Sequence, residues 1–402
     1  MKIAKLPTTE KVTDKYSSSL RKKIVSDARR IVIKIGSAVL TREDGLNLVA
    51  IARTCDQIAR LREEGREFII VSSGAISAGM RKLSMSRRPR SITEKQAVAA
   101  IGQSSLIQAW EDQFDIYRIK AAQILLTGDD LNNRRRYLNA RNTLNKLLSW
   151  GVVPVVNEND TVVVEEIKFG DNDNLSALIA GMVNADLLIN LTDIEGLFDR
   201  DPHEDSDACL LPVITKIDSK IKKCAGKSCG LLGTGGMLSK ILAAQKCMAM
   251  GIPMIIAGGE LRDILTNIFA GHELGTIFLP LDTHYHGKKQ WLVQLSNPKG
   301  RLYLDDGAVK AIVERGKSLL PIGIVKVEGS FGVGDPVECL SKEGSSVGTG
   351  LVNYRASEIE KIKGKKSTEI EKILGFKYSD EVIHRDNFAL SPEVMDLKTS
   401  NA

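Results

Sequence analysis

From residue 31 to about residue 280, the chain alternates short apolar runs rich in β-branched residues with stretches of helical spacing. A continuous apolar run is typical of a buried parallel strand, and apolar positions three and four apart are typical of a helix. The pattern predicts strands over residues 31–35, 68–71, 121–126, 152–156, 186–191 and 253–257. It predicts helices over residues 48–64, 75–83, 175–183 and 238–250. Such alternation indicates an α/β sandwich with a mostly parallel sheet.

The pattern changes near residue 280, where short strand-like pieces broken by Gly and Pro replace the earlier alternation. Strands are predicted over residues 323–327, 334–340 and 348–353, with a helix over residues 306–315. This part therefore reads as a separate small β-rich domain. We predict four segments: a basic N-terminal leader at 1–29, an α/β domain at 30–284, a β-rich domain at 285–378 and a C-terminal tail at 379–402.

The composition of the 402-residue chain is that of an average soluble protein, with 43% hydrophobic and 26% charged residues. No run of about 18 apolar residues occurs, which argues against an ordinary transmembrane helix, and the first ten residues lack the apolar core of a secretory signal. The six cysteines do not show the paired spacing of a zinc site. We therefore expect reduced thiols in a cytoplasmic protein.

The net charge of +6 comes entirely from the first 30 residues, which carry nine Lys and Arg against three acidic residues. The rest of the chain sums to zero, and residues 291–402 hold sixteen basic and sixteen acidic side chains. A neutral body lacks the positive field that is typical of nucleic-acid-binding proteins. We expect the leader to be a solvated, poorly ordered terminus, with a binding arm as the alternative.

A glycine-rich turn at residues 233–237 (GTGGM) precedes a predicted helix whose first turn carries Lys240. Glycines let backbone N–H groups approach an anion, the helix N-terminus adds positive potential, and a lysine there can reach a terminal phosphate. A plain loop is the alternative for such a turn. Two stretches that mimic a Walker A motif, at 226–228 and 316–318, lack the earlier glycine that this motif needs.

Lys34 is the only charged residue in the strand predicted over residues 31–35, and Gly36 and Ser37 follow that strand. A charge in a buried strand costs free energy unless it is paired or functional. The carboxyl end of such a strand is also where open α/β sheets bind ligands. The alternative is an edge-strand lysine that points to solvent.

Two dense polar clusters follow predicted strands or precede predicted helices, at residues 157–160 (NEND) and 170–174 (GDNDN). Helix capping accounts for one or two such residues, but not for eight carboxylates and amides in two bursts. A third polar stretch, at residues 192–197 (TDIEGL), leaves a strand, and turn chemistry alone can account for it.

Taken in order, six segments resemble the amino-acid kinase family: IVIKIGSAVLT, VSSGAISAG, PVVNENDTV, FGDNDNLSALIA, LTDIEGLFDRDP and GTGGMLSK. The similarity runs over about residues 30–280. The GDNDNLSAL and NEND runs are similar to the subfamily that phosphorylates glutamate, rather than to the aspartate, acetylglutamate, carbamate or uridylate kinases. The C-terminal part, with GAVKAIVERGKSLLPIGI, resembles a PUA-type domain. The chain departs from the pattern in its basic leader and at Leu238 and Ser239.

The resemblance implies a three-layer αβα sandwich with a mostly parallel sheet (the amino-acid kinase fold), followed by a small β-rich PUA-like domain. It implies ATP-dependent phosphorylation of the side-chain carboxylate of L-glutamate to L-glutamyl 5-phosphate, the first step of proline biosynthesis. Mg²⁺ would be carried mainly by the nucleotide phosphates, with no protein metal ligands assigned. In the family pattern, Lys34 matches a phosphate-binding lysine, Lys240 the lysine nearest the transition state, and Asp173 a carboxylate that holds both lysines.

The same resemblance implies binding residues for both substrates. The residues that match ATP-binding positions are Lys34, Thr192, Asp193, Thr234, Gly235, Gly236, Met237, Leu238, Ser239 and Lys240. The residues that match glutamate-binding positions are Ser73, Gly74, Asp160 and Asn172. Among these, Asp160 would take the α-ammonium group, and the others would offer N–H, hydroxyl or amide donors.

The resemblance also implies partners: proline as a feedback inhibitor, a glutamyl-phosphate reductase that consumes the labile product, and copies of this chain in a homo-oligomer. Residues 126–136, which include Asp130, lie where related enzymes let proline inhibit. Two other functions stay open at this point. The chain could be an RNA-binding PUA protein with a kinase-like body, or an amino-acid kinase that acts on another carboxylate.

Overall fold

The computed structural model describes residues 14–42, 45–162, 172–202, 205, 207–224, 236–280, 298–391 and 394. The chain forms two compact units, a larger one that takes in most described residues up to 280 and a smaller one from residue 298 onward. Several sequence-based expectations lie outside the described residues. They concern residues 1–13 of the leader, the mimic at 226–228, Cys229, and residues 392, 393 and 395–402 of the tail.

The larger unit contains an eight-stranded sheet in the order β5–β6–β4–β1–β7–β9–β10–β8, and a two-stranded hairpin of β2 and β3. The strands are β1 Arg30–Ile35, β2 Thr41–Arg42, β3 Gly45–Leu46, β4 Glu67–Ser72, β5 Ala121–Leu126, β6 Val153–Glu158, β7 Leu187–Thr192, β8 Val213–Ile214, β9 Met254–Gly258 and β10 Thr276–Phe278. Every pairing in the large sheet is parallel except that of β9 with β10. The prediction of a mostly parallel sheet is therefore confirmed.

Helices connect these strands, as parallel pairing requires. They are α1 Asp14–Asp27, α2 Ser37–Leu40, α3 Leu48–Glu63, α4 Ala75–Lys82, α5 Ile92–Asp115, α6 Gly128–Asn132, α7 Arg134–Ser149, α8 Asn172–Met182, α9 Ser219–Cys224, α10 Met237–Ala249 and α11 Ile264–Phe269. Each polar cluster lies partly in a regular element, because β6 runs on to Glu158 and α8 begins at Asn172. Asn159 and Asp160 follow β6, and Gly170 and Asp171 lie outside the described residues.

The two faces of β1 show why the sheet is covered by helices on both sides. Successive side chains of a strand point to opposite faces. Ile31, Ile33 and Ile35 lie in one buried apolar cluster that also includes residues of α3. The intervening Lys34 reaches Asp173 at the start of α8, on the opposite face. The sheet is therefore the middle layer between two layers of helices.

The expected solvated leader is wrong for the described residues that precede β1. Val25 and Ala28 are buried in the same apolar cluster, and Leu20 and Ile24 pack against it. Arg21 donates hydrogen bonds to the backbone carbonyls of residues 274 and 275. The apolar residues at 20, 24, 25 and 28 form one face of a helix, and the many charged residues around them concealed this pattern.

Helices α4 and α5 cross at very short range because two glycines face the partner backbone. A Cβ atom added at Gly102 would lie 1.8 Å from the carbonyl oxygen of Ala75, and one at Gly79 would lie 1.9 Å from that of Val98. The N-terminus of α5 is closed by a capping box between Ser91 and Glu94. Because Gly102 faces Ala75, the middle of α5 lies against the start of α4, which follows β4.

The smaller unit contains a five-stranded sheet in the order β12–β11–β13–β14–β15. Its strands are β11 Gly300–Leu304, β12 Ile324–Gly329, β13 Pro336–Leu340, β14 Ser346–Leu351 and β15 Phe388–Leu390. Its α-helices are α12 Asp306–Val313, α13 Ala356–Ile362 and α14 Ile370–Leu374, and its 3-10 turns cover Pro321–Gly323, Ser367–Glu369 and Arg385–Asn387. The prediction of a separate β-rich domain is confirmed.

The predicted C-terminal tail is wrong for residues 379–391, which belong to the smaller unit. Strand β15 pairs with β14, and Val382, Ile383 and Phe388 are buried in the apolar core of this unit. Ile383 also forms a backbone bridge with Leu319. The short apolar pieces in this region are separated by polar residues, so the sequence showed no continuous strand pattern.

Two further findings concern the described residues only. None of their helices combines the length and apolar character needed to cross a membrane. The five cysteines among them, Cys55, Cys209, Cys224, Cys247 and Cys339, are free thiols.

Candidate functional site

Polar side chains collect at the carboxyl edge of the large sheet, where parallel strands end together. Lys34 lies near the end of β1, Ser73 directly follows β4, Glu158 ends β6, and Thr192 ends β7. Open α/β sheets bind ligands outside this edge. The functional candidates of four separate sequence segments therefore converge on one region.

Asp173, in the first turn of α8, contacts two lysines from different elements. The Nζ atom of Lys34 lies 2.5 Å from Oδ1 of Asp173, and the Nζ atom of Lys240 lies 3.3 Å from Oδ2. Asp173 is 1% exposed and each lysine 5%. Ions this deeply buried lose their hydration, so mutual pairing is what allows them to remain charged. The edge-strand alternative for Lys34 is thus excluded.

Two neutral donors complete the surroundings of the Asp173 carboxylate. Ser239, in the first turn of α10, donates to Oδ2 at 2.6 Å, and Asn190 in β7 donates to Oδ1 at 2.8 Å. Burial by itself raises the pKa of Asp173, but the charges of Lys34 and Lys240 and the hydrogen bonds they and Ser239 make outweigh it. They hold the pKa of this carboxyl well below its ordinary value.

A cavity of about 350 Å³ lies beside this ion cluster. Ser73, Gly74, Asp160 and Asn172, the four candidate glutamate-binding residues, all line it. Gly74 has φ of +111°, a left-handed conformation that glycine adopts without strain, and it begins α4. Since Asn172 directly precedes Asp173, the cavity and the ion cluster share the first turn of α8.

The Asn172 side chain is held by its amide nitrogen. Nδ2 donates to the hydroxyl of Ser73 at 3.0 Å and to Oδ1 of Asn157 at 3.1 Å. Asn157 in turn donates to Oε1 of Gln103 on α5 at 2.8 Å. The Oδ1 atom of Asn172 is buried and has no hydrogen-bond partner among the described residues. A buried acceptor of this kind fits a ligand that brings an N–H donor.

Asp160 is one of two acids that line the cavity, beside Glu158. Its burial, together with the negative charge of nearby Glu158, raises the pKa of Asp160 to about 7. A cation placed in the cavity would favour the ionised form and pull this pKa down. Asp160 is thus suited to bind an ammonium group, and its charge changes close to neutral pH.

The structure describes most, but not all, of the candidate ATP-binding residues. Gly236 caps the N-terminus of α10, Met237 is buried and Leu238 is 47% exposed. The hydroxyl of Thr192 donates to Oδ1 of Asp193 at 2.8 Å, at the end of β7. Thr234 and Gly235 lie outside the described residues. The roles of these residues stay predictions.

The sequence analysis did not single out several residues of this site. Asn190 is a polar residue inside an apolar strand, a signal of the same kind as Lys34. Lys95 and Arg88 line the cavity, but nothing in their sequence surroundings points to it. Gln103 acts only through Asn157, and it lies within a helix of mixed character.

Asp130, in the region that resembles a proline-sensitive segment, has a local structural role. It accepts hydrogen bonds from the hydroxyl and the backbone N–H of Thr127, at 2.7 and 2.9 Å, and its own N–H donates back to the Thr127 hydroxyl. This reciprocal arrangement begins α6.

No cluster of three or more His, Cys, Asp or Glu side chains suitable for a metal ion occurs in the described part of the chain. The one carboxylate of the ion cluster is already bound to two ammonium groups.

Comparisons with known proteins agree with this architecture. Residues 29–258 match the sequence profile of the amino acid kinase family, and residues 300–374 match that of the PUA domain. The glutamate 5-kinase of Meiothermus ruber is 51% identical over 367 residues, which cover 91% of this chain and 97% of that relative. The glutamate 5-kinases of Syntrophus aciditrophicus and Geobacter sulfurreducens are 48% and 49% identical, covering 92% of this chain and 96% and 100% of those relatives.

Among solved structures, the chain is similar to the UMP kinase of Bacillus anthracis, with a TM-score of 0.45 and 14% sequence identity. That similarity covers 63% of this chain and 97% of the other.

Proposed function

This chain belongs to the amino acid kinase family, and on that premise we propose that it transfers the γ-phosphoryl group of ATP to the side-chain carboxylate of L-glutamate. The product is L-glutamyl 5-phosphate, the first intermediate on the way to proline. The observation that carries the proposal is the pair of buried lysines on Asp173 directly beside a cavity that Asp160 lines. One side suits an anion, and the other suits an ammonium group.

The reaction needs charge stabilisation rather than a general base. A glutamate carboxylate, with an ordinary pKa of about 4.3, is already ionised at neutral pH. One of its oxygens forms the new bond to phosphorus while the bond to the bridging oxygen of ADP breaks, and no proton has to move. The obstacle is the approach of two anions. Lys34 and Lys240 offset that repulsion, and Asp173 holds both ammonium groups in place.

The cavity supplies the orientation of the amino acid. Asp160 binds the α-ammonium group, and the buried Oδ1 of Asn172 accepts a hydrogen bond from the same group. Asn172 thus acts as an acceptor and not as the donor expected from the resemblance, because its amide nitrogen already donates within the protein. The α-carboxylate takes donors from Ser73 and Gly74 and the positive charge of Lys95 at the cavity wall. The side-chain carboxylate then extends towards the ion cluster at the start of α8.

The nucleotide binds at the glycine-rich segment before α10 and at the end of β7. Gly236, Met237, Leu238 and Ser239 at the start of α10 offer backbone N–H groups to the phosphates, as Thr234 and Gly235 do in the motif. Thr192 and Asp193 contact the remainder of the nucleotide. The nucleotide phosphates would hold Mg²⁺, which would offset their negative charge.

The test is an acceptor-dependent assay with the purified full chain, ATP and Mg²⁺. We expect glutamate to trigger ADP release, and hydroxylamine to trap the acyl phosphate as a hydroxamate. Aspartate and N-acetylglutamate serve as matched acceptors, one shorter by a methylene group and one without a free ammonium group. ADP release that prefers either of them would exclude the proposed substrate.

We further propose that proline inhibits this activity, that the chain assembles into a homo-oligomer in the cytoplasm, and that a glutamyl-phosphate reductase consumes the product. The lability of an acyl phosphate supports the last point, and the free thiols support a reducing compartment. Repeating the assay with proline tests inhibition, and light scattering of the purified chain tests assembly.

A further inference from the structure

Strand β7 carries one residue that its position in the fold does not explain. All six residues of this strand are buried, and Asn190 in its interior is 0% exposed. An amide costs free energy in an apolar interior unless its hydrogen bonds are satisfied. Leucine or isoleucine, which occupy the neighbouring positions, would fill this place without that cost.

The amide group of Asn190 is bound to the ion cluster. Its Nδ2 donates to Oδ1 of Asp173 at 2.8 Å, the same oxygen that Lys34 contacts. Asn190 is paired with Lys34 in the register of the adjacent parallel strands β1 and β7. The two side chains therefore point to the same face of the sheet, towards α8.

Asn190 and Ser239 donate hydrogen bonds to different oxygens of the Asp173 carboxylate. Asn190 donates to Oδ1 and Ser239 to Oδ2, so a neutral donor is bonded to each oxygen. Lys34 lies at Oδ1 and Lys240 is closest to Oδ2. Rotation of the carboxylate group would break both neutral hydrogen bonds, and the distance between the two ammonium groups is set by that orientation.

The burial of Asn190 is not explained by full satisfaction of its own hydrogen bonds. Its Oδ1 atom is buried and has no hydrogen-bond partner among the described residues. Such an orphaned acceptor costs free energy, which offsets the gain from the bond to Asp173. A residue that contributes little net stability but contacts the reacting cluster through one bond fits a role in function rather than in folding.

We infer that Asn190 is a positioning residue for phosphoryl transfer, because it locks the Asp173 carboxylate so that Lys34 and Lys240 are held at separate oxygens. It acts through Asp173 and touches neither reactant. The inference rests on the proposed function and deepens it. It predicts an effect on the chemical step, with binding in the cavity left intact.

The test compares Asn190→Leu with the wild-type full chain in the glutamate-dependent ADP assay. Leucine has the same branched shape and the same number of side-chain heavy atoms, but it has no hydrogen-bond donor. We expect kcat to fall about tenfold, which is the loss of about 1.4 kcal/mol of transition-state stabilisation, or one buried hydrogen bond. The KM for glutamate should change less than twofold, because Asn190 is not among the residues that line the cavity.

Ser176→Ala is the matched control. Ser176 is 0% exposed, and its hydroxyl donates to the backbone carbonyl of Asp173 at 2.7 Å. The control thus removes one buried hydrogen bond to the same residue, but not to its carboxylate. We expect it to lower the melting temperature while kcat stays within twofold of the wild type.

Asn190→Asp keeps the size of the side chain and covers the case in which the leucine variant does not fold. The introduced carboxyl donates to Asp173 only while protonated, and two neighbouring carboxyl groups raise the pKa of the pair. We expect its kcat relative to the wild type to fall as the pH rises from acid to alkaline. A constant ratio near one would overturn the inference.

The outcomes separate the two claims. A wild-type chain that releases no ADP with glutamate contradicts the proposed function. An active wild type, combined with an Asn190→Leu variant whose kcat is unchanged, or whose loss equals that of Ser176→Ala, overturns the positioning role alone. A rise in the KM for glutamate without a fall in kcat would also overturn it.

Discussion

Asp173 in the ion cluster and Asp160 in the cavity wall are buried to different degrees, and their pKa values are shifted in opposite directions. Asp173 is 1% exposed, yet two lysines keep its pKa far below the ordinary value. Asp160 is only half-buried, yet burial and the neighbouring Glu158 raise its pKa to about 7. Burial alone therefore does not decide the charge of an acid, because the nearest charged group can outweigh it.

The difference separates a permanent anion from a conditional one. Asp173 already has its cations, so it serves as a fixed support that organises Lys34 and Lys240. Asp160 has an acid as its neighbour, so its charged form is stabilised when a cation enters the cavity. Substitution of four residues, Asp173, Lys240, Asp160 and Glu158, tests this contrast.

Asp173→Asn removes the shared counter-ion of two buried ammonium groups. We expect the free energy of unfolding to fall by about 3–5 kcal/mol, the usual cost of leaving a buried charge without its partner. Urea unfolding of the full chain measures it. Asp115→Asn, which breaks an exposed pair with Lys120, should change stability by no more than about 1 kcal/mol. Equal losses of stability in the two variants would mean that the buried cluster stabilises the fold no more than an exposed ion pair does.

Lys240→Ala leaves Asp173 paired with Lys34 and removes one of the two cations at the reaction centre. We expect kcat to fall by about 10²–10³-fold, as when one preorganised electrostatic donor is lost, while the chain stays folded. Lys246→Ala on the same helix is the control, since Lys246 is exposed and bonded to Asn174. A Lys240→Ala variant with wild-type kcat would remove this lysine from the mechanism.

Asp160→Asn keeps the shape of the cavity and removes its negative charge. We expect the KM for glutamate to rise about 10–100-fold, the value of one charge-assisted hydrogen bond, with a smaller change in kcat. Steady-state kinetics measure both constants, and Asp112→Asn on the exposed side of α5 serves as the control. A fall in kcat with an unchanged KM would reverse the roles proposed for the two carboxylates.

The smallest effect concerns pH. Below about pH 7, Asp160 is protonated in the free protein and cannot pair with an ammonium group, so the KM for glutamate should fall as the pH rises through 7. Glu158→Gln removes the neighbouring charge and should move this midpoint to lower pH, by less than about one unit, because burial is the larger cause. A midpoint that does not move would mean that burial alone raises the pKa.

Most strands of the fold could be predicted from the local pattern of apolar and polar residues. The six predicted strands of the α/β part all occur, and their bounds differ by only one or two residues. Strands β8 and β10 were missed because they are two and three residues long, too short to show a period. The helix of the leader and strand β15 were missed because a few apolar residues lie among many polar ones.

Some residues of the candidate site could be predicted from the sequence. Lys34 and the NEND and GDNDN runs stand out because polar groups in or beside buried elements need a reason. The roles assigned to Lys34, Lys240, Asp160 and Asn172 came from family resemblance and stay predictions until the variants are measured. Nothing local in the sequence showed that Lys95 faces the cavity or that Gln103 supports Asn157.

The alternation of strands and helices, the two-part organisation and the available chemical groups could be predicted from the sequence, because these depend on residues close together in the chain. Only folding brings residues 34, 173, 190 and 240 together. Only folding raises the pKa of Asp160 and lowers that of Asp173. The physical reason is distance. Charge and hydrogen bonding act over a few ångströms of space, and folding alone brings groups together that are far apart in the chain.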